Sequence, residues 1–105
     1  MATRVVVLTK LRDGVEPEAY ESWVRSGDYP IARAQAPILS YEVFRAHERL
    51  LADSPELPYD YIEVIDVTDV AEYLEAAGNA DMQQMLAAWG ERIGEFVAFS
   101  SHIVE

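Results

Sequence analysis

The stretch Tyr59-Asp60-Tyr61-Ile62-Glu63-Val64-Ile65-Asp66-Val67 decides how this chain is built. β-Branched and aromatic residues dominate it and Pro58 marks its entrance, so it reads as a strand. Side chains alternate along a strand, which places Tyr59, Tyr61, Glu63, Ile65 and Val67 on one face. Glu63 therefore sits among aromatic and aliphatic neighbours rather than on a polar stripe. A carboxylate in that position is the pattern of a pocket.

Upstream, Ile38 to His47 has strand composition, with Leu39, Tyr41 and Val43 alternating against Ser40 and Glu42. Glu48 to Leu57, holding Asp53, Ser54 and Pro55, is a loop, so the two strands are expected to pair as an antiparallel hairpin with a long tip. Thr3 to Leu11 is apolar on both alternating faces, the pattern of a strand covered on both sides. Arg12-Asp13-Gly14 turns the chain. Pro17 suits the first turn of a helix in which Tyr20, Trp23 and Val24 share a face, and Gly27 is expected to end it before a short helical turn running to Ala36.

Downstream, Asp69 and Glu72 have the spacing of a capping box and start a short helix that stops at Gly78-Asn79. A longer helix follows, with Met82, Met85, Leu86, Trp89 and Ile93 on its apolar face, and Phe96 to Val104 reads as the last strand. This order predicts one α+β domain over residues 1–105: a ferredoxin-like βαββαβ fold, with a four-stranded antiparallel sheet and helices on one face. Two helices cover only one face, yet the first strand is apolar on both. A homodimer with sheets packed face to face, the dimeric α+β barrel, supplies the cover.

The 19 Asp and Glu against 8 Lys and Arg give a formal charge of −11, which repels phosphate backbones and acidic lipid surfaces. Nucleic acid and membrane are not expected partners. With no cysteine there is no thiolate chemistry or disulfide, and Val5-Val6-Val7-Leu8 is too short to span a membrane, so a cytoplasmic location is expected. Nucleotide-binding glycine loops, a G-x-S-x-G elbow and paired metal-spaced histidines are all missing from the sequence. No tightly bound cofactor and no metal site are expected.

The segments Tyr20 to Pro30 and Pro58 to Val67, in this order and separation, together with the acidic helix start after Val67, Met82-Gln83-Gln84 and the closing Ile103-Val104-Glu105, resemble the REDY-like, or HapK, family. The resemblance covers nearly the whole chain. It implies a dimeric α+β barrel accompanying the biosynthesis of pyrrole- or indole-derived pigments and related natural products, the prodigiosin and bisindole classes among them. It fixes no reaction, because the wider architecture hosts cyclases, isomerases, small monooxygenases and haem-handling enzymes.

From the residues themselves, Glu63 is the first candidate for a general acid or base, since burial raises a carboxyl pKa toward neutrality. Its structural alternative is an ion pair with Arg4 or Arg45. His102, on the expected last strand, could move a proton or ligate haem, or else face water as an edge histidine; His47 is a weaker candidate. Asp28 is the third catalytic candidate, with capping of the following turn as its ordinary role. Trp23, Tyr29, Tyr41, Tyr59 and Tyr61 offer flat surfaces for a small aromatic substrate, and Arg33 could meet a substrate carboxylate. Trp89 and Met85 read as core. The expected function is a cofactor-independent enzyme promoting cyclisation or proton transfer on a reactive aromatic intermediate, with a cofactor-free monooxygenase or a sheltering binding protein as alternatives.

Overall fold

A computed structural model describes residues 3–105. Strands β1 (Thr3–Leu11), β2 (Ile38–Arg45), β3 (Tyr61–Val67) and β4 (Ile93–Ser101) form one sheet in the order β2-β3-β1-β4, every neighbouring pair antiparallel. Helix α1 (Pro17–Trp23) continues through a π-helical turn (Val24–Asp28) into the single turn α2 (Tyr29–Ala32), while α3 (Val70–Ala77) and α4 (Ala80–Arg92) follow β3. This is the expected ferredoxin-like α+β fold.

Alternation sorts the sheet into two faces. Val5, Val7 and Thr9 of β1 and Tyr61, Glu63, Ile65 and Val67 of β3 are buried beneath the helices. The opposite face holds Val6, Leu8, Ile62 and Val64, half-buried, and the exposed Phe44, Val97 and Phe99. No helix among the described residues covers that face. The core under the helices has two parts: Val5, Val7, Ile38, Tyr41, Ile65, Val67, Met82 and Met85 form one, and Tyr20, Val24, Tyr61 and Ile93 the other.

Four local expectations need correction. Gly27 does not end the first helix; it lies within the π-helical turn, where a Cβ would stand 2.6 Å from Trp23 Nε1, so its missing side chain makes room for the indole. Leu39 does not share a face with Tyr41, because an irregularity between Ile38 and Ser40 shifts the register and leaves Leu39 exposed. Strand β3 begins at Tyr61, with Asp60 Oδ2 accepting from Leu11 N–H at 2.8 Å, and Tyr59 stays outside the strand. The last strand starts at Ile93, because pairing of Leu11 with Ile93 and the bond from Arg12 N–H to the Arg92 carbonyl (2.9 Å) capture the chain where α4 ends.

Caps define the helices that lie over the site. Asp69 accepts from Glu72 N–H at 2.7 Å at the start of α3, as the capping-box spacing predicts. Asn79 accepts from Met82 N–H at 2.9 Å at the start of α4 and donates to Gln35 Oε1 at 2.8 Å, tying α4 to the segment before β2. Asn79→Ala removes both links. Chemical denaturation should show a loss of about 1 kcal/mol, the usual cost of an N-cap.

Candidate functional site

Strand alternation delivers Glu63 to the helix side of β3, where it is 5% exposed. Neither arginine proposed as its partner is there: Arg4 is bound to Asp66, and Arg45 to Glu21 and Glu18. Glu63 is held by neutral partners instead. Trp89 Nε1–H donates to its Oε2 at 3.0 Å, and the Tyr41 hydroxyl lies 3.1 Å from its Oε1.

The same hydroxyl lies 2.7 Å from Asp28 Oδ2. Asp28 is 1% exposed and makes no capping bond to α2, so the ordinary role expected of it is not the one it has. The π-helical turn, which ends at Asp28, carries its carboxylate inward against Tyr41. Asp28 Oδ1 has no hydrogen-bond partner among the described residues.

Burial is the main cause of the shifts that follow. It pushes the Glu63 carboxyl from 4.5 up to about 7, helped by the negative charge of Asp28 and opposed by the bonds from Trp89 and Tyr41. Asp28 rises from 3.8 to about 6, again through burial, with Tyr41 and the charge of Arg33 pulling the other way. Tyr41 and Tyr20 are pushed well above the usual phenol range by burial and the two carboxylates. Two carboxyls that titrate near neutrality on either side of one hydroxyl form an acid–base constellation.

This constellation borders a small cavity whose unfilled space, open mouth included, is about 330 Å³ and whose enclosed part has room for a water or two. Tyr41, Glu63 and Ile65 come from the sheet, Asp28 and Ala32 from the first helical segment, Tyr73 from α3, and Met82, Met85, Leu86 and Trp89 from α4. The wall is apolar and aromatic apart from the two carboxyls.

The remaining sequence candidates are distributed differently. Tyr29 packs edge-on against Tyr41 with ring centres 5.3 Å apart, and its hydroxyl oxygen accepts from Val43 N–H at 2.8 Å. Arg33 stacks over the Tyr29 ring at 3.6 Å and donates to the Tyr41 carbonyl (2.7 and 3.1 Å) and to Glu42, so its guanidinium braces Tyr41 rather than facing the cavity. Trp23 packs between the two core clusters, with Arg92 over its ring. Tyr61 shares the face of Glu63 but donates to Glu21 at 2.6 Å and borders a separate polar cleft with Tyr29 and Arg45. Tyr59 borders an open groove at the β1–α1 turn, away from Glu63. His102 is exposed and follows the end of β4, because the strand stops at Ser101. His47 is likewise exposed beyond β2.

Trp89 and Met85, expected to be core alone, also border the cavity, and Tyr73 joins them unforeseen. Nothing in the sequence beyond an apolar helix face signals Trp89; among the described residues the buried carboxylates are the two in this cavity, and the buried indole N–H bonds to one of them. Among the described residues no group of three His, Asp or Glu side chains is arranged to hold a metal, and no helix is long and apolar enough to cross a membrane.

The family model described as REDY-like protein HapK matches residues 3–103. Among solved structures, HapK from Hahella chejuensis superimposes with a TM-score of 0.72 at 24% identity, covering 97% of this chain and 95% of that one. A protein of Arabidopsis thaliana matches with a TM-score of 0.80 at 13% identity, covering 98% and 96% of the two chains. A dimeric ferredoxin-like protein of unknown function from Thermobifida fusca gives 0.75 at 20% identity, covering 98% and 92%. At these identities the structural matches carry the fold alone. No curated protein sequence matches the chain.

The raised pKa of Glu63 has a definite sign in stability. A carboxyl that holds its proton more tightly when folded stabilises the fold fully below its unfolded pKa, and that contribution is lost as pH rises from about 4.5 through about 7. Thermal unfolding of the wild type should therefore weaken across that window. Glu63→Gln, which mimics the neutral acid, should remove a part of the slope on the order of 2 kcal/mol. An unchanged slope would show that Glu63 titrates in the folded protein as it does in the unfolded chain.

Proposed function

The chain belongs to the REDY-like HapK family, and from its buried cavity we propose a homodimeric, cofactor-independent enzyme that moves a proton on a small aromatic intermediate of pyrrole or indole type. One observation carries this reading: Glu63, buried without any cation, keeps a proton near neutral pH and borders an apolar cavity. A group whose pKa lies near the operating pH can both give and take a proton. Tyr41, Tyr73 and Trp89 offer flat surfaces to a planar ligand, and the Trp89 indole N–H fixes one carboxylate oxygen of Glu63. Orientation and exclusion of water supply the remaining catalysis, and cyclisation is the same chemistry when the moved proton unmasks a nucleophile in the ligand.

The proposed dimer rests on the open sheet face. Val6, Leu8, Phe44, Ile62, Val64, Val97 and Phe99 form an apolar surface that no element among the described residues covers, and a second copy meets it with the same residues. The Thermobifida fusca relative is described as dimeric, which supports this arrangement. Sedimentation should give a dimer at micromolar concentration. Phe99→Asp should shift it toward monomer, and a wild-type monomer would remove the proposal.

Glu63→Gln tests the chemistry. Turnover of a pyrrole- or indole-type intermediate should fall by roughly two to four orders of magnitude, the usual contribution of a general acid or base. The melting temperature should not fall, since Gln can donate to Tyr41 and accept from Trp89 as the neutral acid does. Turnover close to wild type would end the catalytic assignment, and retained ligand with no turnover in the wild type would mark a binding protein.

A further inference from the structure

The Tyr41 hydroxyl has one hydrogen and two carboxyl neighbours, Asp28 Oδ2 at 2.7 Å and Glu63 Oε1 at 3.1 Å. Hydrogen bonds across both contacts require a second proton, and it must lie on one of the carboxyls. The shorter contact is the better hydrogen bond, and Asp28 is the carboxyl on which a cation, Arg33, acts, so Tyr41 gives its hydrogen to Asp28. Glu63 then donates to the Tyr41 oxygen. The other oxygen of Glu63 accepts from Trp89, as the carbonyl oxygen of a neutral acid does.

We infer that Asp28 and Glu63 are an unequal acid–base pair holding one proton, with Glu63 the resting acid and Asp28 the resting base, and that the cavity takes a neutral ligand presenting an N–H or O–H to Asp28. This rests on the reading of the cavity as a small-molecule site. Asp28 Oδ1 is buried and lacks a partner among the described residues, so a ligand hydrogen there satisfies an otherwise unpaired oxygen. An anionic ligand finds no Arg, Lys or His on the cavity wall to receive it and meets the charge of Asp28.

The groups packed around the pair agree with this charge distribution. Tyr20 from α1, Tyr41 from β2, Tyr73 from α3 and Trp89 from α4 face the carboxyls and are neutral at physiological pH. The cation that acts here is Arg33, and it favours the ionised form of Asp28.

The reaction such a pair performs is a tautomerisation. The ligand X–H bond breaks and its proton forms an O–H bond on Asp28 Oδ1. The Glu63 O–H bond breaks and its proton bonds to a second atom of the same ligand. The ligand leaves with the same atoms and charge, Asp28 is neutral and Glu63 anionic. Tyr41 turns its hydrogen from Asp28 to Glu63, following the charge, and the return of one proton from Asp28 to Glu63 resets the site. Tyr41 is thus a positioning residue.

Three measurements on the folded protein test the inference, and two variants locate the proton. Carboxyl-carbon NMR should show Glu63 titrating after Asp28, and infrared spectroscopy near neutral pH should show a protonated-carboxyl band that is lost in Glu63→Gln and kept in Asp28→Asn. Calorimetry should give oxindole, a neutral planar N–H donor, at least about tenfold tighter binding than indole-3-carboxylate, because a like charge beside Asp28 is strongly disfavoured. The inference is overturned if both carboxyls are ionised near neutrality, if the band follows Asp28 instead, or if the carboxylate binds as well as oxindole. A band that follows Glu63, with turnover unaffected in Glu63→Gln, supports the charge assignment and sinks only the catalytic role.

Discussion

A carboxyl group buried in the sheet without a cation constrains most of what surrounds it. An ionised carboxylate in a low-dielectric interior costs several kcal/mol, and with no arginine in reach Glu63 avoids that cost by keeping its proton. A neutral acid in turn needs one acceptor and one donor. Tyr41 and Trp89 supply them from two different elements, β2 and α4, so the chemistry of one side chain ties sheet to helix. The packing that results is specific in a way that an apolar residue at position 63 would not enforce.

The second carboxylate depends on an irregularity in the helix. Each residue of an α-helix turns the chain by about 100°, so the extra residue in a π-helical turn rotates everything after it by roughly that amount. Here the turn ends at Asp28 and carries it to the interior. Gly27 makes the turn compatible with Trp23, whose indole occupies the space a side chain would need. Arg33 and Tyr29 then brace Tyr41 from behind, one through the backbone carbonyl and the other through ring contact. Residues that looked like ligand contacts are the supports of the hydroxyl that links the two acids.

Element order, the turn at Gly14, the hairpin and the Asp69 cap were legible because each depends on local chemistry: alternation, a positive φ of 87° at Gly14, and a side-chain acceptor at a helix start. Glu63 was legible because its strand pattern leaves a carboxylate no other face. Tyr41 and Asp28 were named as candidates, but their meeting across 13 positions of sequence is a tertiary fact that no spacing encodes. Tyr59 and His102 show the opposite failure. Both rested on extending a strand by two or three residues, and strand ends are fixed by pairing with a neighbour, which composition does not reveal. Trp89 was obscured because an apolar helix face reads the same whether its indole N–H bonds to a carboxylate or packs without one.

The charge of the whole chain bears on the same site. With a formal charge of −11, the surface already disfavours anions at long range, and the cavity repeats that preference at contact distance. Salt weakens the first effect, since exposed charges are screened within about 8–10 Å, whereas the buried pair is screened far less. Discrimination against anionic ligands should therefore persist at high ionic strength if it originates at Asp28, and fade if it comes from the surface. The sheet divides these tasks between its faces: the helix-covered side carries the two acids, and the open side presents aliphatic and aromatic residues suited to a second copy. Changes on one face can then alter association while leaving the bonds among Glu63, Tyr41 and Asp28 in place.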